Sequence, residues 1–143
     1  MTADDPYDLA RFVRAQDRND TVVTALAELR RGRKTSHWMW FVFPQLAGLG
    51  RSPTAREYAI SSLDEARVYL AHPVLGARLR ECAEAVSAIV DSTAVDVFGG
   101  IDALKLHSSM TLFALAAPDE HVFEDVLLKF FGGQYDPNTE RLL

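Results

Sequence analysis

A chain of 143 residues, 48% hydrophobic and 24% charged, has the size and composition of one globular domain, not of a disordered segment. Its net charge of −5 argues against general nucleic-acid binding, which rests on neutralising many phosphates. No apolar run approaches the length of a membrane span, and Met1-Thr2-Ala3-Asp4-Asp5 has neither the basic nor the apolar stretch of a secretory leader. The single cysteine, Cys82, has no partner for an internal disulfide, so a cytoplasmic protein is expected. The charge is uneven. Residues 1–80 carry 12 Lys/Arg against 9 Asp/Glu, and residues 81–143 carry 3 against 11. The two parts can complement each other across the fold or stay solvated, and the basic part can hold one small anion.

Helix signals dominate in chain order. Asp5-Pro6 opens a segment from Tyr7 to Gln16 with Leu9, Phe12, Val13 and Gln16 on one face. Asp20 reads as an N-cap, Val22, Leu26 and Leu29 form a stripe, and Gly32 stands just past the helix end. The run from Ser36 to Gln45 holds both tryptophans, and its helix must end near Phe43, because Pro44 disfavours helical geometry at the residue before it. Leu46 to Arg51 reads as a loop. Ser52-Pro53 starts a short helix through Tyr58, and Ser62 to Glu65 is a capping box for a helix to about Leu70.

Pro73 is expected to start the clearest helix, with Leu75, Leu79, Cys82, Val86 and Ile89 as one apolar seam. After the break at Phe98-Gly99-Gly100, Ile101 to Ala117 reads as a helix apolar on most sides, hence central. Val122, Val126, Leu127, Phe130 and Phe131 are expected to face inward before Gly132-Gly133, and Asp136-Pro137 to cap a last turn. These signals give one compact all-α domain over residues 1–143, with short loops and little or no β-structure.

Chemistry-bearing motifs are sparse. None of His37, His72, His107 and His121 has a second histidine three to five residues away, so no metal or cofactor is expected. No Gly-x-Ser-x-Gly elbow occurs, and Cys82 lies on an apolar seam where a thiol packs as a small hydrophobe. On a helix Lys105 lies beside Ser108, whereas His107 points away from it, so the two cannot act on one atom. A lysine in so apolar a helix must snorkel, pair with a carboxylate such as Asp102, or hold an anion. The basic cluster Arg30 to Lys34 suits a helix C-terminus and also a phosphate contact beside aromatics. Gly48-Leu49-Gly50-Arg51-Ser52-Pro53 reads either as a capped-helix loop or as an anion site using Arg51.

The block Ser36-His37-Trp38-Met39-Trp40-Phe41, followed by Phe43-Pro44-Gln45, closely resembles a bacterial family of unknown function numbered 1810. The likeness runs on through Tyr58, Glu65-Ala66, His72-Pro73, Phe98-Gly99, Asp102, Lys105, Ser108 to Phe113, and Phe131-Gly132-Gly133. It differs visibly only at Val42, where isoleucine is expected. The resemblance implies a small, mainly helical cytosolic domain and brings no activity with it. The label calpastatin carried by some relatives does not suit a chain patterned for a core, because that inhibitor is disordered.

Two readings follow. In the first, Gln16, Lys34, Ser36, Trp38, Trp40, Gln45, Arg51, Lys105 and Ser108 line a pocket for a small anionic or nucleotide-like ligand. A tryptophan would stack on its ring, with His37 and Asp102 as general acid or base, for instance in N-glycosidic cleavage. In the second, the same residues are buried hydrogen-bond partners of a non-catalytic interaction or structural module.

Overall fold

Gly100–Ala116 alternates no polar face with its apolar one, and a helix of that kind is stable only when neighbours surround it. The computed structural model describes residues 4–143; Met1-Thr2-Ala3 of the stretch read for a leader lie outside the described residues. In chain order the helices are α1 (Ala10–Asp17), α2 (Thr21–Arg30), α3 (Met39–Val42), α4 (Pro53–Glu57) and α5 (Leu63–Ala71). They are followed by α6 (Leu75–Ser87), α7 (Ala94–Phe98), α8 (Gly100–Ala116), α9 (His121–Phe131) and α10 (Pro137–Leu142). Among the described residues the only β-type pairing is an isolated parallel bridge between Leu46 and Ile60, so the fold is all-α as the sequence indicated. Among the described residues no helix is long and apolar enough to cross a membrane.

Around α8 pack α5, α7, α9 and α10, while α6 lies behind, against α2, α5 and α9. Leu106, Met110, Leu112 and Phe113 of α8 meet Leu75, Leu79, Cys82 and Val86 of the α6 seam and Phe123, Val126 and Leu127 of α9 in one continuous core. Burying each such side chain stabilises the fold by roughly 1.5–3 kcal/mol relative to exposure. The aromatic block closes the core from the α3 side. Trp38, Phe43 and Phe98 form a triad with ring centroids 6.2–6.4 Å apart.

Local chemistry sets most helix ends where the sequence placed them. The Asp5 carboxylate accepts from the amides of Leu9 (2.8 Å) and Ala10 (3.0 Å) at the start of α1. Ser52 and Asp136 cap α4 and α10, each with proline in the first turn. Gly32 (φ 77°) ends α2 in a Schellman arrangement, in which Arg33 N–H donates to the Glu28 carbonyl and Gly32 N–H to that of Leu29.

Elsewhere the structure corrects the expectation. Asp20 stands at the N-cap of α2, but in left-handed geometry with no side-chain cap. The helix expected from Pro73 begins at Leu75, because His72 Nδ1 accepts from the amides of Val74 and Leu75 and so makes the start itself. Ser62 caps α5, yet Glu65 turns to Ser61 and Arg11 instead of closing the box. In α9 the inward residues are Phe123, Val126 and Leu127, while Val122, Phe130 and Phe131 are half-buried. Helix α7 was not foreseen. Its capping box uses Thr93 and Asp96, with the shorter acid in place of the usual Glu or Gln.

At the α5–α6 corner the backbone approaches so closely that a Cβ on Gly76 would lie 2.1 Å from the Leu70 carbonyl oxygen. Gly76→Ala is therefore expected to destabilise the protein by about 1–3 kcal/mol through forced displacement of packed backbone. Urea unfolding will show this as a lowered midpoint at unchanged slope; an unchanged midpoint would mean that the corner yields freely.

Candidate functional site

The candidate site begins with a carboxylate that sequence reading passed over. Glu28 sits in the last turn of α2 and is buried. Its Oε1 accepts from the amides of Thr35 (2.7 Å) and Ser36 (2.9 Å) and from Trp38 Nε1 (3.0 Å), and its Oε2 from Ser36 Oγ (2.6 Å). Burial pushes the Glu28 carboxyl up, but the donors of Ser36, Thr35 and Trp38 together outweigh it and hold it down at about 2. The available signal was positional: an acidic residue on the inward face of α2, four positions before Gly32, next to a tryptophan whose indole N–H needs a partner.

Wrapping residues 33–38 around Glu28 aims Lys34 at α8. The Lys34 amide donates to the Val97 carbonyl at 2.8 Å, anchoring the segment to α7. Its ammonium reaches the Ser36 carbonyl and, at 2.8 Å, Asp102 Oδ2, and lies 5.0 Å over the Trp38 ring. Across the same carboxylate, Lys105 Nζ stands 3.6 Å from Asp102 Oδ1 and 4.4 Å over the Trp40 ring. The Lys34 side chain is 6% exposed, those of Asp102 and Lys105 about a fifth. Lys34, Trp40, Asp102 and Lys105 thus form one half-open cluster of two cations and one anion.

This cluster adjoins the start of α8, where Gly99 (φ 80°) and Gly100 are exposed and a Cβ on either would meet nothing within 4 Å. The first intrahelical bond runs from Ala103 N–H to the Gly99 carbonyl. The amides of Gly100, Ile101 and Asp102 have no acceptor among the described residues. Three free N–H groups at the positive end of a 17-residue helix favour negative charge.

The other nominated residues lie elsewhere. Gln16 is buried, giving its amide N–H to the Phe41 carbonyl and Tyr69 Oη and accepting from Arg78. Ser36 is spent on Glu28. Trp38 is enclosed at 1% exposure, so it has no free face for a ligand ring. His37 is exposed beside a shallow cleft of about 250 Å³ with Asn19, Thr21 and Thr24, and no hydrogen bond or ion pair links it to Asp102. Gln45 is half-buried near Gly50, its carbonyl accepting from the Ile60 amide, and Arg51 is exposed on the following loop.

Ser108 Oγ is 3.1 Å from both the Leu104 carbonyl and the Asp136 carboxylate and so fastens the C-terminal segment to α8. His107 stacks on Phe131 at 4.1 Å, on the side away from Lys105 that helix geometry required. Burial, then the nearby Glu81 charge, pushes the Cys82 thiol up to about 12, which suits a packed core group. Among the described residues no three His, Cys, Asp or Glu side chains are grouped to hold a metal ion.

With this geometry in view, comparison with known proteins places the chain. It belongs to the family described as a protein of unknown function, DUF1810, whose model matches residues 6–143. It is 51% identical to the conserved hypothetical protein Rv1873 from Mycobacterium tuberculosis, solved by crystallography at 1.38 Å. The two superpose with a TM-score of 0.94, covering 97% of this chain and 98% of that one. No curated protein matches.

Glu28→Gln tests the clamp under the cluster. With the folded-state carboxyl near 2 against an ordinary 4.5, the Glu28 contribution is complete above pH 4.5 and is lost as pH falls toward 2. The variant is expected to lose on the order of 2–3 kcal/mol at pH 7 and to show a flatter acid limb between those values. Chemical denaturation across that range checks it, and parallel stability curves for the two proteins would count against the clamp.

Proposed function

We propose that the protein binds a small anionic ligand, of phosphate or phosphate-ester type, at the Lys34–Asp102–Lys105–Trp40 cluster in front of α8. The observation that carries this reading is Lys105. Its side chain is four-fifths buried, its ammonium has no hydrogen-bond acceptor among the described residues, and the carboxylate beside it is already bound to Lys34. A cation so placed keeps its donors open to solvent and to an incoming anion. With three free amides beside it, the cluster has the character of an oxyanion receptor.

The chemistry supports binding more than turnover. Both Asp102 oxygens face ammonium groups, and His37 lies by a different cleft, so the geometry favours no acid–base pair at the anion. Lys105 covers a face of Trp40, which supports recognition of the charged group over stacking of a base. Asp102 occupies the space between the lysines that an incoming anion would take and competes with it. A dianion gains more from two lysines than a monoanion does, so selection for phosphate over carboxylate follows. An enclosed, unpaired Cys82 fits a reducing cytoplasm as the place of action.

Isothermal titration and thermal shift with inorganic phosphate, AMP and ADP-ribose test this reading. A ligand at 100 times its dissociation constant adds about 2.7 kcal/mol of stability. Lys105→Ala is expected to lower affinity at least tenfold with little change in fold stability, and Asp102→Asn to raise affinity for monoanions. Absence of binding by the parent protein, or equal binding by Lys105→Ala, would refute the site.

A further inference from the structure

On another flank, an open groove of about 680 Å³ runs between α1 and the α5–α6 corner. Pro6, Leu9 and Val13 line one wall and Val68, Pro73 and Val74 the other, and Ala10 and Ala71 also line the groove. Val68 on α5 and Val74 in the turn before α6 are 42% and 37% exposed, so both present aliphatic surface to solvent. The walls come from α1 and from α5 with the turn before α6, and they are joined beneath the groove by the Arg11–Glu65 ion pair (3.3 Å) and the Phe12–Tyr69 ring contact (5.2 Å).

The charged groups at this groove sit together. Asp4 and Asp5 line it with His72, and Asp5 is held in its anionic form by the Ala10 and Leu9 amides. The walls are also fixed in place. Asp5 caps α1, and His72 Nδ1 caps α6 through Val74 and Leu75, so the groove exists before any partner arrives.

We propose that this groove receives an amphipathic helical segment of another protein, with aliphatic side chains toward Val13, Val68 and Val74 and a lysine or arginine at the Asp4–Asp5 end. Charge complementarity selects that occupant. The acidic mouth repels fatty-acid carboxylates and anionic lipid headgroups, and the apolar walls offer nothing to a polar nucleotide. The site is separate from the Lys34–Lys105 cluster and independent of the ligand reading.

The test uses a fluorescein-labelled 16-residue helical peptide with leucines on one face and lysines on the other, and a matched peptide with glutamate in place of lysine. Anisotropy is expected to show saturable binding of the lysine peptide alone, weakening with added salt. Val68→Glu should reduce that binding at least tenfold and Asp4→Lys several-fold. Both positions are exposed, so thermal melts should show the variants folded. Amide shifts in ¹⁵N spectra should centre on Ala10, Val13, Val68 and Val74. Equal binding of both peptides, no binding, undiminished binding by folded Val68→Glu, or shifts centred on the acidic α9 would overturn the proposal. So would a concentration-dependent dimer, seen in sedimentation, that Val68→Glu abolishes, since the occupant would then be a second copy.

Discussion

A single buried carboxylate, Glu28, holds together the part of the chain from which a function can be argued. Segment 33–38 has no regular structure, and short irregular backbone cannot be buried unless its amides find partners. Glu28 supplies them to two amides, a hydroxyl and an indole at once. Four donors on one anion exceed its desolvation cost, which is why the carboxyl sits near 2 and not above its ordinary value. Trp38 is thereby fixed against Phe43 and Phe98, and Lys34 is carried to the front of α8. Without that anchor neither lysine would have a defined relation to Asp102.

The second constraint comes from α8. Most of its circumference is core, and its polar groups concentrate at two places with opposite outcomes. Toward its C-terminal half, Ser108 and Thr111 are consumed by Asp136, whose amide donates to Thr111 Oγ1 and whose carboxylate also takes the Thr139 amide and hydroxyl. At its N-terminal end, the three first amides and the Lys105 ammonium remain without acceptors. One helix therefore carries a closed polar network that docks the C-terminal segment and an open one that faces solvent. The closed network specifies packing; the open one is the ground of the proposed anion site.

Much of this was legible from the residues, and the gaps have physical causes. The α6 seam, the central place of α8 and the stops at Gly32 and Pro44 follow from periodicity and backbone stereochemistry, which are local. The start of α6 and the existence of α7 were missed because they depend on caps outside the usual residue set, a histidine ring nitrogen and an Asp at the third position. For the site, the sequence gathered eleven polar and aromatic residues by type. Lys34, Trp40, Asp102 and Lys105 come together, while Gln16, Ser36 and Ser108 are satisfied within the fold. Glu28 and Gln16 were hard to sort because a buried polar residue and a ligand-binding one look alike until their partners are known.

That distinction also explains why the aromatic block is so demanding of its neighbours. Trp38 stands just before the four-residue helix α3 and Trp40 lies within it, and the two rings point in different directions. Trp38 points inward and needs an acceptor for its N–H, which only a carboxylate brought from α2 provides. Trp40 points to the α8 surface, where its ring face offers partial negative charge to a cation. Lys105 meets that face because side chains on a helix lean toward its N-terminus, and the same lean sets its ammonium beside the uncapped first turn. The inward tryptophan thus fixes the fold, the outward one orients a cation, and the spacing between them ties both tasks to one short stretch of chain.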